Sequence, residues 1–273
     1  MYERRKTHFA SITFFVIIHC RIIFNYRNKK EIAIPYQFQS RIRYSETGEE
    51  KSLTLPGLIN YFQDCSTFQS EELGNGVDDM LAKGKVWVLA YWQIELVRLP
   101  VLGEEVTVQT WAHAFKGFQG ERNYRMLDRG GRTLACANSL WIYVDLHTGH
   151  PVRVDQEVQE AYPMEPALEM GKTSRKIKIP EGGVAREAFK VCRHHLDTNH
   201  HVNNAQYIDM AQEYIPKDWK IARVRAEYRS QAVLGDVIYP VISAGEDYVT
   251  VDLRGAEGRS FAVVEFCKTG KTD

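Results

Sequence analysis

No two cysteines of this chain stand at C-x-x-C spacing, and the five present (Cys20, Cys65, Cys136, Cys192 and Cys267) are odd in number and far apart. That pattern offers neither a disulfide framework nor a thiolate metal site, and it fits a reducing compartment, the cytoplasm. An excess of one charge is also missing, since 35 Lys and Arg face 35 Asp and Glu. Without a basic surplus or a nucleic-acid-binding motif, nothing points to a nucleic acid or an anionic membrane as partner. No H-E-x-x-H run accompanies the pairs His194-His195 and His200-His201, so no metal is expected. Nor does any apolar run reach the ~20 residues that span a bilayer. The longest, Phe9 to Ile18, sits in a basic stretch and is followed by Arg21, Arg27, Lys29 and Lys30 instead of a small-residue cleavage site. Residues 1–35 are therefore read as a weakly ordered extension, ahead of a peripheral anchor (membrane contact through residues 1–30) and of a secretory signal.

What is present is a core and a repeat. Hydrophobic residues make up 44% of the chain and charged ones 26%, the balance of a globular protein. In the first half a helical pattern runs from Leu55 to about Glu71 with Leu58, Ile59, Phe62 and Cys65 on one face, followed by strand-like runs at 86–97, 106–111, 124–127 and 134–144. In the second, a helix from Asn203 to about Tyr214 is followed by runs at 223–228, 237–243, 248–253 and 261–266. The turns between strands correspond: Leu102-Gly103-Glu104-Glu105-Val106 matches Leu234-Gly235-Asp236-Val237-Ile238, and Gly131-Arg132-Thr133-Leu134-Ala135 matches Gly258-Arg259-Ser260-Phe261-Ala262. One long helix followed by antiparallel strands predicts an α+β fold in which a curved sheet wraps a helix, twice, with the two sheets able to join. The expected divisions are an extension over 1–35, a first unit over 36–150, a Pro- and Gly-rich surface linker over 151–187 and a second unit over 188–270.

Polar chemistry is concentrated in one copy. Asp197, Asn199 and His201 are spaced by two, so an extended segment would set all three on one face. Asn203 and Asn204 then offer N-cap chemistry to a helix whose free N–H groups can polarise a carbonyl oxygen. A capping loop also looks like this, and both readings stand at this point. The corresponding stretch of the first copy, Tyr44 to Glu50, has neither Asn nor His.

The run Asp197-Thr198-Asn199-His200-His201-Val202-Asn203-Asn204-Ala205-Gln206-Tyr207 resembles the D-x-N-x-H-V-N-N-x-x-Y motif of the fatty acyl-ACP thioesterases, the double-hotdog family of plant plastids and bacteria. The first half is similar to that family's N-terminal hotdog at Trp87-Val88-Leu89, Pro100, Gly103, Thr110-Trp111, Asn123 to Asp128, and Ser139-Leu140-Trp141-Ile142. The resemblance covers about residues 36–270. It implies a tandem hotdog that hydrolyses the thioester of a fatty acyl-ACP to free fatty acid and holo-ACP. Asp197 would be the catalytic carboxylate, with Asn199 and His201 positioning it, the water or the thioester. No cofactor is implied, because an activated acyl group needs only a carboxylate-activated water and a polarised carbonyl. The oxyanion is expected near the N–H groups of Val202 to Asn204. Asn203 and Asn204, with Leu58, Ile59 and Phe62, are expected to bind substrate.

One departure stands out. Plant members carry a Glu and then a Cys a few residues after the Glu-Tyr pair, where this chain has Gln231 and Ala232. Gln231 can hold a water but not take its proton, and Ala232 cannot be a nucleophile. Glu227, about 13 Å along the strand, is too far to substitute. The expected partner is the acyl carrier protein with its phosphopantetheine-linked chain. Arg122, Arg125, Arg129, Lys172, Arg175, Lys176, Lys178, Arg193, Arg223 and Arg225 are candidates for its docking patch. The alternatives are an acyl-CoA thioesterase and a non-catalytic acyl-binding lipid sensor, and the expected assembly is a monomer or a homodimer.

Overall fold

The computed structural model describes residues 35–171 and 173–268; the readings made for residues 1–34 lie outside the described residues. In chain order the elements are β1 (Tyr36–Arg41), α1 (Leu55–Glu72), α2 (Val77–Ala82), β2 (Lys85–Leu96), β3 (Glu105–Lys116), β4 (Gln119–Asp128), β5 (Thr133–Asp145), α3 (Gln156–Ala161), the two-residue strands β6 (Val184–Ala185) and β7 (Phe189–Lys190), α4 (Asn204–Gln212), β8 (Arg223–Tyr228), β9 (Val237–Ala244), β10 (Tyr248–Arg254) and β11 (Ser260–Cys267). Their strands form one sheet in the order β1-β3-β4-β5-β2-β8-β11-β10-β9-β6, with β7 also on β9. Its halves join where β2 and β8 pair antiparallel from Tyr91↔Glu227 to Glu95↔Arg223. This is a tandem hotdog of the α+β class, as expected. The repeat is visible in the turns: Gly103 (φ 81°) and Gly235 (φ 91°), like Gly131 (78°) and Gly258 (77°), hold left-handed backbone that favours glycine. The sequence reading missed β1, α2, α3 and the two short strands.

Helix α1 starts where Thr54 Oγ1 accepts the Gly57 N–H at 3.1 Å, with Pro56 in its first turn, and stops before Gly74 in the left-handed region. Its Leu58, Ile59, Phe62 and Cys65 are wholly buried against the sheet residues Trp92, Val108, Tyr124 and Met126. Each such side chain contributes about 1.5–3 kcal/mol on burial. Helix α4, capped by Asn203, packs beside α1 with Ala205, Tyr207, Ile208 and Ala211 in the same core.

The segment 151–187 does more than connect. Val154, Val158 and Tyr162 around α3 build a second apolar cluster with Met80, Ala112 and Tyr143, on the first half. Beyond it the chain straps across the sheet face opposite α1. There Trp111 Nε1 donates to the Pro166 carbonyl (2.9 Å), Asn123 Oδ1 accepts from the Leu168 N–H (2.9 Å), and Gln93 Nε2 donates to the Gly171 carbonyl (2.8 Å). Buried polar side chains thereby satisfy backbone that has no strand partner.

Candidate functional site

The polar run of the second half is a tight turn, not the extended segment that its spacing suggested. The Asp197 N–H donates to the His201 carbonyl (2.8 Å), the His200 N–H donates to the Asp197 carbonyl (3.1 Å), and Leu196 bridges to Val202. Those backbone bonds close the turn, and Asp197 braces it from within: its Oδ1 accepts from the Asn199 N–H at 2.8 Å and from the His201 N–H at 3.2 Å. A short carboxylate that captures the N–H two residues on adds an Asx turn to that backbone. His200 completes it at φ 62°, a left-handed conformation costly for a residue with a Cβ. Asp197 and His201 are half-buried and Asn199 is exposed.

The surroundings hold this turn by its backbone. His201 bridges to Val233, and the Val202 N–H donates to the Ala232 carbonyl at 2.9 Å. Continued one step, that antiparallel register carries Gln231 opposite Asn203; Gln231 is exposed. The Tyr207 hydroxyl accepts the Ala232 N–H (2.9 Å), the Tyr228 hydroxyl donates to the Asn204 carbonyl (2.9 Å), and burial pushes Tyr207 up to about 12. Before the turn, His195 Nδ1 accepts the Cys192 N–H (3.0 Å), a bond only an unprotonated Nδ1 can make. Burial, then the neighbouring His194, keep the pKa of His195 below its ordinary value.

The helix start narrows the expected oxyanion site. The Val202 N–H serves Ala232, the Asn203 N–H serves His195, and the Ala205 N–H is capped by Asn203 Oδ1 at 2.8 Å. The Asn204 N–H is left without an acceptor among the described residues. Asn203 is thus the N-cap of α4, with its carboxamide oxygen already used. Glu227 is engaged elsewhere, accepting from the Ile177 N–H and from Arg229, both at 2.8 Å, on the strapped face of the sheet.

A cavity of about 190 Å³ lies in the first half between the later turns of α1, α2 and the strands β2 to β5, with Tyr162 on its wall. Its apolar wall includes Val77, Met80, Trp87, Phe115 and Trp141, and Asn199 of the second half borders it. Leu58, Ile59 and Phe62, expected to bind substrate, stand apart from this cavity. All three are wholly buried in the core and none lines this cavity, whose helical wall is Ser66, Thr67 and Ser70. The first turns of α1 press straight onto the sheet; only beyond Cys65 does space open.

The expected basic patch dissolves in part as well. Arg122 and Arg223 are buried, Arg175 pairs with Glu121, Arg225 pairs with Glu265 at 2.6 Å, and Arg125 lies over the Trp111 ring. Arg193, Lys176 and Lys178 remain exposed. Among the described residues no three His, Cys, Asp or Glu gather as metal ligands, and no helix is long and apolar enough to cross a membrane.

Sequence models of the acyl-ACP thioesterase N-terminal and C-terminal domains match residues 35–162 and 178–252. The chain belongs to the acyl-ACP thioesterase family. Among its relatives in that family is an oleoyl-acyl carrier protein thioesterase, chloroplastic, of Coriandrum sativum, 25% identical over an alignment of 258 residues that covers 86% of this chain and 70% of that one. A palmitoyl-acyl carrier protein thioesterase, chloroplastic, of Arabidopsis thaliana is 27% identical over 70% of this chain and 50% of its own length. The chain thus spans 70% of the first of these plant relatives and half of the second. In fold it is similar to an acyl-ACP thioesterase from Bacteroides thetaiotaomicron (TM-score 0.77, 22% identity, 85% of this chain and 96% of that one). It is also similar to a 12:0-ACP thioesterase from Umbellularia californica (TM-score 0.75, 19% identity, 85% and 95%). Acyl-ACP thioesterases are thus the setting in which the turn and the cavity are to be understood.

Proposed function

We propose that this member of the family hydrolyses fatty acyl-ACP to free fatty acid and holo-ACP. The observation that carries the reading is the meeting of turn and cavity at Asn199: the polar turn of one half edges the apolar cavity of the other. An acyl chain lodged in the first half would leave its thioester beside the second half's carboxylate.

Asp197 accepts two backbone N–H groups on one oxygen, which leaves the other oxygen for a water. In the proposed step Asp197 takes a proton from that water as its oxygen attacks the thioester carbon. The tetrahedral intermediate then expels the phosphopantetheine thiolate, and the proton passes to the departing sulfur. The unpartnered Asn204 N–H, at the positive end of α4, is the candidate donor to the oxyanion. Asn199 and His201 orient the water or the thioester, and Gln231 holds the water without taking its proton. The family's relatives named for the acyl carrier protein support ACP as carrier over CoA, and the odd number and wide spacing of the cysteines fit a cytoplasmic setting.

Steady-state hydrolysis of matched acyl-ACP and acyl-CoA series, with Asp197→Asn as control, tests the reading. Free acid released preferentially from ACP, and lost in the variant, is the expected result. Preferential turnover of CoA esters would move the carrier, and acyl binding without turnover on either would make the protein a sensor.

A further inference from the structure

The cavity wall contains a cation where an acyl chain calls for hydrocarbon. Arg122, on β4, is only 8% exposed and lines the cavity. Strand alternation places it on the α1 side with buried Tyr124 and Met126. One nitrogen, Nη1, donates to Gln69 Oε1 and to Thr110 Oγ1 (3.2 Å), and the guanidinium lies 5.2 Å from the Tyr162 ring centroid. No carboxylate pairs with it among the described residues; the cavity's other ionic side chains, Lys85 and Glu121, are neutralised by Asp145 and Arg175. Its Nε and Nη2 make no hydrogen bond among the described residues, yet they are absent from the fully enclosed polar atoms that lack a partner. In a residue this buried, the open space beside those two donors is the cavity.

Nε and Nη2 form one edge of the guanidinium fork, two parallel donors that match a single oxygen or a carboxylate. A plain hydrocarbon chain seated there would expel water from both donors and return nothing. Ser70 and Tyr162, bonded to each other through their hydroxyls at 2.8 Å, extend the polar stripe along the same wall. We propose that Arg122 makes this cavity selective for acyl chains that carry an oxygen (a hydroxyl, keto or carboxyl group) over unsubstituted chains. The inference rests on the acyl-pocket reading above and deepens it to a substrate class.

The test uses acyl-ACPs of one chain length: unsubstituted, hydroxylated or oxidised to a ketone near the thioester, and hydroxylated or carboxylated at the far end. In the wild-type chain at least one oxygenated form is expected to exceed the unsubstituted form by about tenfold or more in kcat/KM, as for sites built to hydrogen-bond a substrate oxygen. Arg122→Met should collapse that ratio. Arg122→Lys, which keeps the charge but loses the fork, should retain part of it. A ratio measured within one sample does not depend on the folded fraction. Equal or better turnover of the unsubstituted chain by the wild type, or a ratio unmoved in Arg122→Met, would overturn the assignment. If no acyl-ACP is turned over, the thioesterase reading fails, and calorimetric binding of the corresponding free acids decides this one separately. Tighter binding of an oxygenated acid that disappears in Arg122→Met upholds it, and equal binding of all the acids overturns it.

Discussion

In the first half the chain folds back at Gly48, whose N–H donates to the Ser52 carbonyl at 3.0 Å; in the second it does so at Asp197, onto the His201 carbonyl at 2.8 Å. The two turns agree bond for bond. Thr47 bridges to Leu53 as Leu196 does to Val202, and Lys51 (φ 58°) stands where His200 (φ 62°) stands. The Thr54 N–H reaches the Glu46 carbonyl as the Asn203 N–H reaches that of His195. Even the short helical lead-ins match, with Glu46 accepting from the Arg43 N–H as His195 accepts from that of Cys192. The side chains differ: Gly48, Glu50 and Ser52 hold the places of Asp197, Asn199 and His201. Since the first copy makes this turn with glycine at its head, the fold does not need a carboxylate there. The second copy's polar set is chemistry added to a backbone that the architecture supplies anyway.

The sharpest way to break that comparison is Asp197→Asn. A carboxamide oxygen can still accept from the Asn199 and His201 N–H groups, so the melting temperature should stay nearly unchanged. Turnover should fall by roughly a thousandfold, about 4 kcal/mol of transition-state stabilisation. Near-normal kcat would take the carboxylate out of the mechanism. Next in size, Gln231→Glu supplies a second carboxylate opposite Asn203 and should leave kcat unchanged or raise it by up to roughly tenfold. A complete loss in steady-state assays would instead mean that the Gln231 carboxamide donates to the carboxylate.

The contrast between the two turns also marks what the residue order could reveal. Helices α1 and α4 and the eight long strands after α1 were legible from periodicity, and the duplication was legible from two glycine-centred turns. The Asx turn was hidden because alternation at Asp197, Asn199 and His201 reads as strand unless one asks where the Asp197 carboxylate finds its donors. Leu58, Ile59 and Phe62 were read as pocket wall because an apolar helix face looks the same against a core as against a cavity. Arg122 did leave a signal: a charge in step with Tyr124 and Met126 on a strand's buried face belongs to the interior, not to a docking surface. Helix α2 is too short for a periodic pattern to stand out, whereas β1, as long as β8 and alternating from Tyr36 through Phe38 to Ser40, was legible and was missed.

Two smaller tests sharpen the likeness of the backbones. Lys51→Gly and His200→Gly each remove a Cβ from left-handed backbone, and each should raise stability by about 0.5–1 kcal/mol, read from the denaturation midpoint at unchanged m-value. The gain should be similar in both copies, because both residues close the same turn. A gain in one alone would mean that the other side chain has an offsetting contact. His200→Gly should also leave acyl-ACP turnover within about twofold, since the proposed chemistry places nothing on that imidazole.

The smallest effect is expected from Gly48→Asp. A Cβ at Gly48 meets only Thr54 Cγ2 at 3.6 Å, an ordinary contact, so the side chain fits. The new carboxylate can accept from the Glu50 and Ser52 N–H groups as Asp197 does from those of Asn199 and His201. Stability should therefore shift by no more than about 0.5 kcal/mol. In an Asp197→Asn background the substitution should restore no turnover, because Glu50 and Ser52 cannot replace Asn199 and His201. Recovered acyl-ACP hydrolysis would show that the first turn also reaches a thioester, and that the two halves differ by less than their side chains indicate.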